Sequence, residues 1–269
     1  MKTISILGCG WLGLPLAEAL INDGYSVKGS TTSDLKLSLL EKKLIKPFKI
    51  ILNPELIGVD VEDFFDCDVL IINIPPLRRD DLVEFHFLQI ESVIRHLEKS
   101  DCRKIIFISS TSVYGNKNNE VDEGSKSLPD TLSGEALVIV ENYLRQNKNF
   151  NTSIIRFAGL IGPDRNPAKF ALSASVIENA DTPLNLIHLD DCIGIIKSVL
   201  GNDVWNEIIN GVCENHPTRR EFYSASAKKL NLPEPEFKSG IEPYKIVKSK
   251  KINSLLYYKF KYSNPMDSL

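Results

Sequence analysis

The chain lacks any apolar run approaching the roughly 18 residues that a membrane span requires, and its amino terminus enters a strand-like run without a basic, apolar, small-residue leader pattern. No membrane partner and a cytoplasmic location are the expectation. Excess charge is lacking too: 32 Lys and Arg against 35 Asp and Glu leave a net charge of -3. Short of a local basic patch, no field draws a polyanion, which argues against nucleic acid as a partner. Cysteine is sparse and unpatterned. Cys9, Cys67, Cys102, Cys192 and Cys213 are odd in number, scattered and without CxxC spacing, so neither a disulfide framework nor a zinc site is indicated, and buried thiols are expected. Internal repeats and low-complexity tracts are also missing. What remains is ordinary globular material: 269 residues, 43% hydrophobic and 25% charged, enough for one substantial core with a smaller appendage.

Short apolar runs alternate with helix-period segments along most of the chain. ISILG is followed by LGLPLAEALIND, then SVKGS, and the rhythm continues through FKIIL, DVLIINI, KIIFIS and TSIIRFAG, with QIESVIRHLEKS the clearest later helix. Strands apolar on both faces and separated by helices predict a parallel sheet covered on both sides, a Rossmann-like doubly wound α/β fold. The rhythm breaks at GPDRNPAKF and again at ENHPTRREFY, while NLIHLDDCIGIIKSVL reads as a short strand, a capping acid and a helix returning to the main body. The expected division is residues 1–162 with 181–212 as the dinucleotide-binding domain, and 163–180 with 213–269 as a small carboxy-terminal lobe on the substrate side.

Gly8, Gly10 and Gly13 form GxGxxG between the first strand and the first helix. In that context the first glycine permits a tight turn, the second lets backbone approach a pyrophosphate, and the third allows close helix-to-strand contact, with phosphate charge meeting free amides at the helix amino terminus. The competing reading is a tight turn without a ligand. Where a NAD protein usually places an acid, at the end of the second strand, the chain has Ser30, Thr31 and Thr32. Hydroxyls donate to a 2′-phosphate and do not repel it, so NADP is the expected cofactor, with NAD the alternative, and Lys28 or Lys36 supplying charge. A polar loop that simply caps the next helix at Asp34 is the other reading. Trp11 and Leu12 within the turn, with Pro75 and Ser109, complete the expected cofactor contacts.

At KIIFISSTSVYGN the sequence resembles the extended short-chain dehydrogenase/reductases, the NAD-dependent epimerase/dehydratase group. The resemblance continues through Glu123 and Pro129, RFAGLIGP with Arg156, Gly162 and Pro163, and HLDD with His188 and Asp191, covering most of residues 1 to 215. It implies that Ser110 is the serine that hydrogen-bonds the reacting oxygen and that Thr111 and Ser112 are substrate-side polar groups. It implies also that His188 positions substrate, with Asp190 or Asp191 capping the helix. Tyr114 is either a phenol near the pocket or an aromatic packed beneath it. Arg165, Lys169, Arg219 and Arg220 are either anion contacts across the cleft or solvated surface charges.

The family's chemistry rests on a tyrosine and a lysine at i, i+4 on one helix face. Pro129, Gly134 and Glu141 select Ser133 for the tyrosine position and Leu137 for the lysine position. A serine hydroxyl is a far weaker acid than a phenol, and leucine offers neither a field nor a ribose contact. The first glycine of the family's GxxGxxG turn is Leu7. No metal site is expected, because one His and one Asp three apart supply too few ligands. The implied function is an NAD(P)-binding, oxidoreductase-like protein acting on, or binding, a nucleotide-linked or phosphorylated small molecule. The alternative is a non-catalytic module that reads dinucleotide level or redox state.

Overall fold

The computed structural model describes residues 1–165 and 176–269, so Lys169 and part of the first expected lobe segment lie outside the described residues. An eight-stranded sheet is built from β1 (Thr3–Leu7), β2 (Ser26–Thr31), β3 (Lys46–Leu52), β4 (Leu56–Gly58), β5 (Val69–Ile72), β6 (Lys104–Ser110), β8 (Asn151–Phe157) and β11 (Ile208–Gly211), in the order β11-β8-β6-β5-β1-β2-β3-β4. All neighbours pair parallel except β3 with β4, a short antiparallel edge. The strand order reverses between β1 and β5. That switch point opens a crevice at the carboxyl ends of these two strands, where ligands of such sheets sit. The chain is therefore a Rossmann-like doubly wound α/β protein.

Strand composition follows from double burial. All four residues of β5, Val69 to Ile72, are buried, as are Ile105, Ile106 and Phe107 of β6, because helices cover both faces. The helices that follow the strands are α1 (Gly13–Asn22), α2 (Asp34–Lys42), α3 (Val61–Phe65), α4 (Leu82–Leu97) and α5 (Leu132–Gln146), and the right-handed rule for parallel crossovers sets α1 on the face opposite α4 and α5. On one side α4 packs against α5, and on the other α1 packs against the helix Leu189–Gly201. α4 begins well before the QIESVIRHLEKS run, since Leu82, Phe85 and His86 extend its buried stripe.

Two small parallel pairs lie outside the main sheet: β9 (Gly159–Ile161) with β10 (Leu186–His188), and β7 (Asn119–Val121) with β12 (Lys245–Val247). NLIH thus contributes to β10 beside β9, and the last strand of the main sheet is Ile208–Gly211. A separate apolar cluster of Ile161, Leu186 and Phe222, with Leu184, Tyr223, Met266 and Leu269 against it, gathers the carboxy-terminal segments. No helix among the described residues is long and apolar enough to cross a membrane.

Candidate functional site: a cleft at the switch point

The glycine turn is held by three bonds from the neighbouring strands. Gly8 N donates to Ser30 Oγ at 2.9 Å, Cys9 N to the Ser30 carbonyl at 2.9 Å, and Asn73 Nδ2, just past β5, to the Gly8 carbonyl at 2.9 Å. Gly8 has φ +107°, and a Cβ there would lie 2.5 Å from the Asn73 carbonyl oxygen; a Cβ on Gly13 would lie 2.2 Å from the Gly8 carbonyl oxygen. Both positions require glycine for backbone reasons. Gly10 differs: a Cβ there meets nothing within 4 Å, so its small size leaves open space at the surface of the turn. No side chain caps α1; Leu14 N donates to the Gly10 carbonyl at 3.0 Å and Leu16 N to the Leu12 carbonyl at 3.1 Å, and Pro15 has no N–H.

Two cavities meet over this turn. The first, about 490 Å³, is lined by Gly8, Gly10, Ser30, Thr31, Thr32 and Lys36 on one side and by Pro75, Arg79, Phe85 and Gln89 on the other. The second, about 390 Å³, is lined by Gly10, Trp11, Leu12, Asn73, Pro75, Ser109, Ser110, Leu137 and Arg165. Both include Gly10, Ile74 and Pro75, so they run together as one cleft across the switch point. Arg165 stacks over Trp11, its guanidinium carbon 4.5 Å from the ring centroid, and Trp11 Nε1 donates to the Pro163 carbonyl at 2.8 Å. Burial pushes the Cys9 thiol up to about 12, which keeps it protonated beside the turn.

Leu137 is 4% exposed and forms part of the second cavity's wall. Ser133 sits at the second residue of α5, whose amino terminus is capped by Thr131 Oγ1 accepting from Gly134 N at 3.1 Å. A Cβ on Gly134 would lie 2.3 Å from the Ser112 carbonyl oxygen, so this helix end presses on the 3₁₀ turn Thr111–Val113 that follows β6. Ser110 Oγ accepts from Ser112 N at 3.1 Å, which fixes the oxygen and leaves the hydroxyl proton free to donate.

Several expected contacts turn away from the cleft. Tyr114 is 0% exposed, its hydroxyl accepting from Arg156 Nη1 at 2.7 Å and lying 3.0 Å from Asn210 Oδ1. The substrate contact expected at Tyr114 is thus replaced by the packed-aromatic reading. Ser109 lines the cavity, but its hydroxyl donates inward to Glu141 Oε1 at 2.7 Å. Thr111 is buried within its turn, and neither it nor Ser112 lines the cleft.

Beneath these residues lies a buried polar network. Arg156 Nε donates to Glu141 Oε1 at 3.0 Å and Nη2 to Ser127 Oγ at 2.9 Å, and Arg156 and Glu141 also pair through Nη2 and Oε2. Lys28 is bound to Asp63 Oδ1 at 2.9 Å and to the Asp66 carbonyl, toward the opposite end of the sheet, so Lys36 alone of the two expected cations reaches the cleft. Arg79, Asn73 and Gln89 were not anticipated; the one local signal for Arg79, unused above, is the basic pair in PPLRRDD directly after β5.

His188 lines a separate cavity of about 260 Å³ with Gly162, Ser226, Lys229 and Leu269, whereas Ser110 and Arg165 share the cleft. A Cβ on Gly162 would lie 3.3 Å from Trp11 and 3.4 Å from His188 Nε2, so the two spaces are neighbours. The helix cap expected from an acid is His188 itself, whose Nδ1 accepts from Asp190 N at 3.2 Å. Asp191 instead accepts from Tyr258 Oη at 2.7 Å, Lys261 N at 2.7 Å and Tyr262 N at 3.1 Å, tying down the carboxy-terminal segment. Arg219 is paired with Glu242, and Arg220 lies 3.4 Å from Asp181; neither lines the cleft.

The structural relatives of this chain are NAD-dependent epimerase/dehydratase and short-chain dehydrogenase/reductase proteins, and it has their fold. A UDP-glucuronic acid 4-epimerase from Bacillus cereus, solved with NAD, superposes with a TM-score of 0.78 at 21% identity over 100% of this chain and 95% of that one. A short-chain dehydrogenase/reductase superfamily protein from Agrobacterium tumefaciens with bound NAD gives 0.80 at 14% identity over 99% and 94%. No family model matches. The chain belongs to the family of protein YeeZ of Escherichia coli K12, with which it is 32% identical over 270 residues, 99% of this chain and 98% of YeeZ.

Proposed function

We propose that the protein binds a nicotinamide dinucleotide along the switch-point cleft, NADP(H) in preference to NAD(H). The observation that carries this reading is the continuity of the two cavities over Gly10, the one glycine of the turn with open space above it. The pyrophosphate would lie over Gly10 and against the positive end of the α1 dipole. The adenosine half would lie by Thr31 and Thr32, with Lys36 and Arg79 near the 2′ position, and the nicotinamide half between Pro75, Ser110 and Leu137. Bound there, the cofactor supplies a hydride donor or acceptor. The chain itself contributes a hydroxyl donor at Ser110, an apolar wall at Leu137 that excludes water, and the Arg165 guanidinium on Trp11 as a charge for an anionic ligand.

That ligand, on this reading, is a nucleotide-linked or phosphorylated small molecule held between the sheet edge and residues 213–269, which act as a substrate-side lobe. The likeness in fold to a UDP-glucuronic acid epimerase supports the class. A second reading, a dinucleotide-reading module without turnover, is favoured by one observation: the position that the family resemblance assigns to lysine is Leu137, packed into the cleft wall.

Calorimetry with NADPH and NADH tests the binding step, with tighter NADPH binding expected and lost preference expected for Lys36→Ala. No heat with either, or a preference for NADH, counts against it. NADPH oxidation over a panel of sugar and simple carbonyl compounds then separates the two readings. Slow or absent turnover is expected, because general acid/base catalysis contributes about 10²–10⁴-fold, and Ser133→Tyr with Leu137→Lys together should raise any activity more than either change alone. Fast turnover by the unmodified chain would overturn the account of the helix face.

A further inference from the structure

The amino-terminal edge of the sheet, opposite the cleft, carries two cysteines that the proposed function does not use. In the parallel pairing of β5 with β6, Leu70 faces Ile105; carried three residues back along both strands, the same register sets Cys67 opposite Cys102. Each segment stays in the sheet beyond its strand end on its other neighbour: Asp68 N donates to the Thr3 carbonyl of β1 at 2.9 Å, and the Arg103 carbonyl accepts from Asn151 N of β8 at 2.8 Å. Adjacent strands lie about 4.8 Å apart, inside the roughly 4.4–6.8 Å between Cα atoms that a disulfide spans. Asp66, Cys67 and Asp68 line one cavity together with Asp101, Arg103 and Lys104, so the two segments that carry the cysteines lie side by side.

Access is one-sided. Cys67 is half-buried and lines a cavity of about 410 Å³ with Lys28, Arg103 and Lys104, while Cys102 is buried behind it. The other three thiols are buried. Burial pushes Cys9 and Cys213 up to about 12 and raises Cys192 as well. In the pair, the nearness of the two thiols holds Cys102 below the usual thiol range and, with burial, raises Cys67 above it.

We propose that Cys67 and Cys102 form a dithiol site that a hydroperoxide oxidises to an intrachain disulfide. Cys102 gives its proton to solvent, Cys67 passes its own to the Cys102 sulfur, and the Cys67 sulfur, the more open of the two, attacks the O–O bond; an S–O bond forms, O–O breaks, and the departing oxygen takes up a proton as alcohol or water. The Cys102 sulfur then attacks Cys67. The S–S bond forms, S–O breaks, and the hydroxyl leaves as water with the Cys102 proton. Two thiols lose two electrons and two protons, and one hydroperoxide is reduced. The site sits apart from the cleft and does not depend on dinucleotide binding.

Hydrogen peroxide added to the reduced full chain is the test. Thiols titrated in denaturant should fall from five to three, the intact mass should drop by two hydrogens, tryptic mapping should join the Cys67 and Cys102 peptides, and dithiothreitol should restore all five. Cys102→Ser should leave Cys67 as a sulfenic acid that dimedone captures; if that variant fails to fold, the mapping of the unmodified chain decides alone. Five thiols remaining under peroxide that oxidises free cysteine, a link between Cys192 and Cys213, a Cys67 dimer between chains, or oxygen added to Cys67 with Cys102 still alkylatable would each overturn the proposal.

Discussion

On the β1–β2 side of the cleft, bonds from neighbouring strands fix the backbone: Ser30 and Asn73 hold Gly8, and the space above Gly10 stays open. On the β6–α5 side the polar side chains turn inward instead. Ser109, Tyr114, Glu141 and Arg156 bond to one another beneath the surface, and the cleft receives Ser110 and the apolar Leu137. One wall is shaped to be approached by a polar ligand. The other is stiffened from behind and offers little acid/base chemistry. The contrast teaches that a binding turn and a chemical wall, though adjacent, rest on separate sets of residues and can be changed separately.

The largest expected effect comes from the inward-turned side. Arg156 and Glu141 are 3% and 2% exposed, so Arg156→Ala leaves a buried carboxylate without its cation, a loss of roughly 3–5 kcal/mol. At this chain length that lowers the melting temperature by about 10 °C. Replacing both partners, Arg156→Met with Glu141→Leu, removes the charge together with its partner and should cost less than either single loss. Thermal scans of Arg156→Met, Glu141→Leu and the double variant, beside Arg156→Ala, check this. A double variant less stable than both singles would show that the network, rather than the charge pair, holds the wall.

The glycines sharpen the comparison on the other side. Gly13→Ala drives a methyl into the Gly8 carbonyl at 2.2 Å, and overpacking of that kind costs about 1–3 kcal/mol. Gly10→Ala meets no atom within 4 Å, so its stability should stay within about 0.5 kcal/mol of the parent, yet it should lose dinucleotide affinity because the methyl occupies the approach to the pyrophosphate. Melting and calorimetry on the same two variants suffice. Unchanged affinity in Gly10→Ala would remove the pyrophosphate from this turn.

What could be read from the sequence was what short range encodes. The turn, the apolar strands and Leu137 at the lysine position all follow from spacings of a few residues, and the sheet follows from their alternation. Elements of three to five residues, such as β4, β7, β12 and the helix Val61–Phe65, are too short to show a period. Side-chain direction was hidden for a different reason. Tyr114 meets Arg156 forty-two residues on, and Ser109 meets Glu141 thirty-two residues on; no local pattern says that these hydroxyls point inward. Lys28 lies within β2 and Lys36 beyond its carboxyl end, and the distant Asp63 and Asp66, which draw Lys28 to the opposite end of the sheet, are not visible in the local sequence. Cys67 and Cys102 looked unpaired because their nearness comes from strand register.

The smallest effect lies on α4, behind Gln89 on the side of the cavity that faces the β1–β2 wall, at His86. Its ring is fully buried on α4, with Nδ1 3.3 Å from Gln89 Oε1, and Gln89 Nε2 in turn donates to the Leu52 carbonyl at 2.9 Å. That second bond makes Oε1 the acceptor, so His86 carries its proton on Nδ1 and leaves Nε2 bare, where no partner meets it. Charging the ring would place an N–H in an apolar pocket without an acceptor. Burial accordingly holds the His86 pKa below its ordinary 6.5. Because the folded value lies below the unfolded one, the unfolded chain binds more protons once the pH falls under about 6.5, and folding loses stability from there downward, by at most about 1.4 kcal/mol per pH unit for one group. Above that range His86 contributes no slope. His188 and His216 are also lowered by burial, so His86→Leu should flatten only part of the decline. Melting temperatures at pH 7.5 and 5.5 for the parent and this variant make the comparison, and an equal decline in both would mean that His86 takes its proton in the folded chain as readily as in the unfolded one.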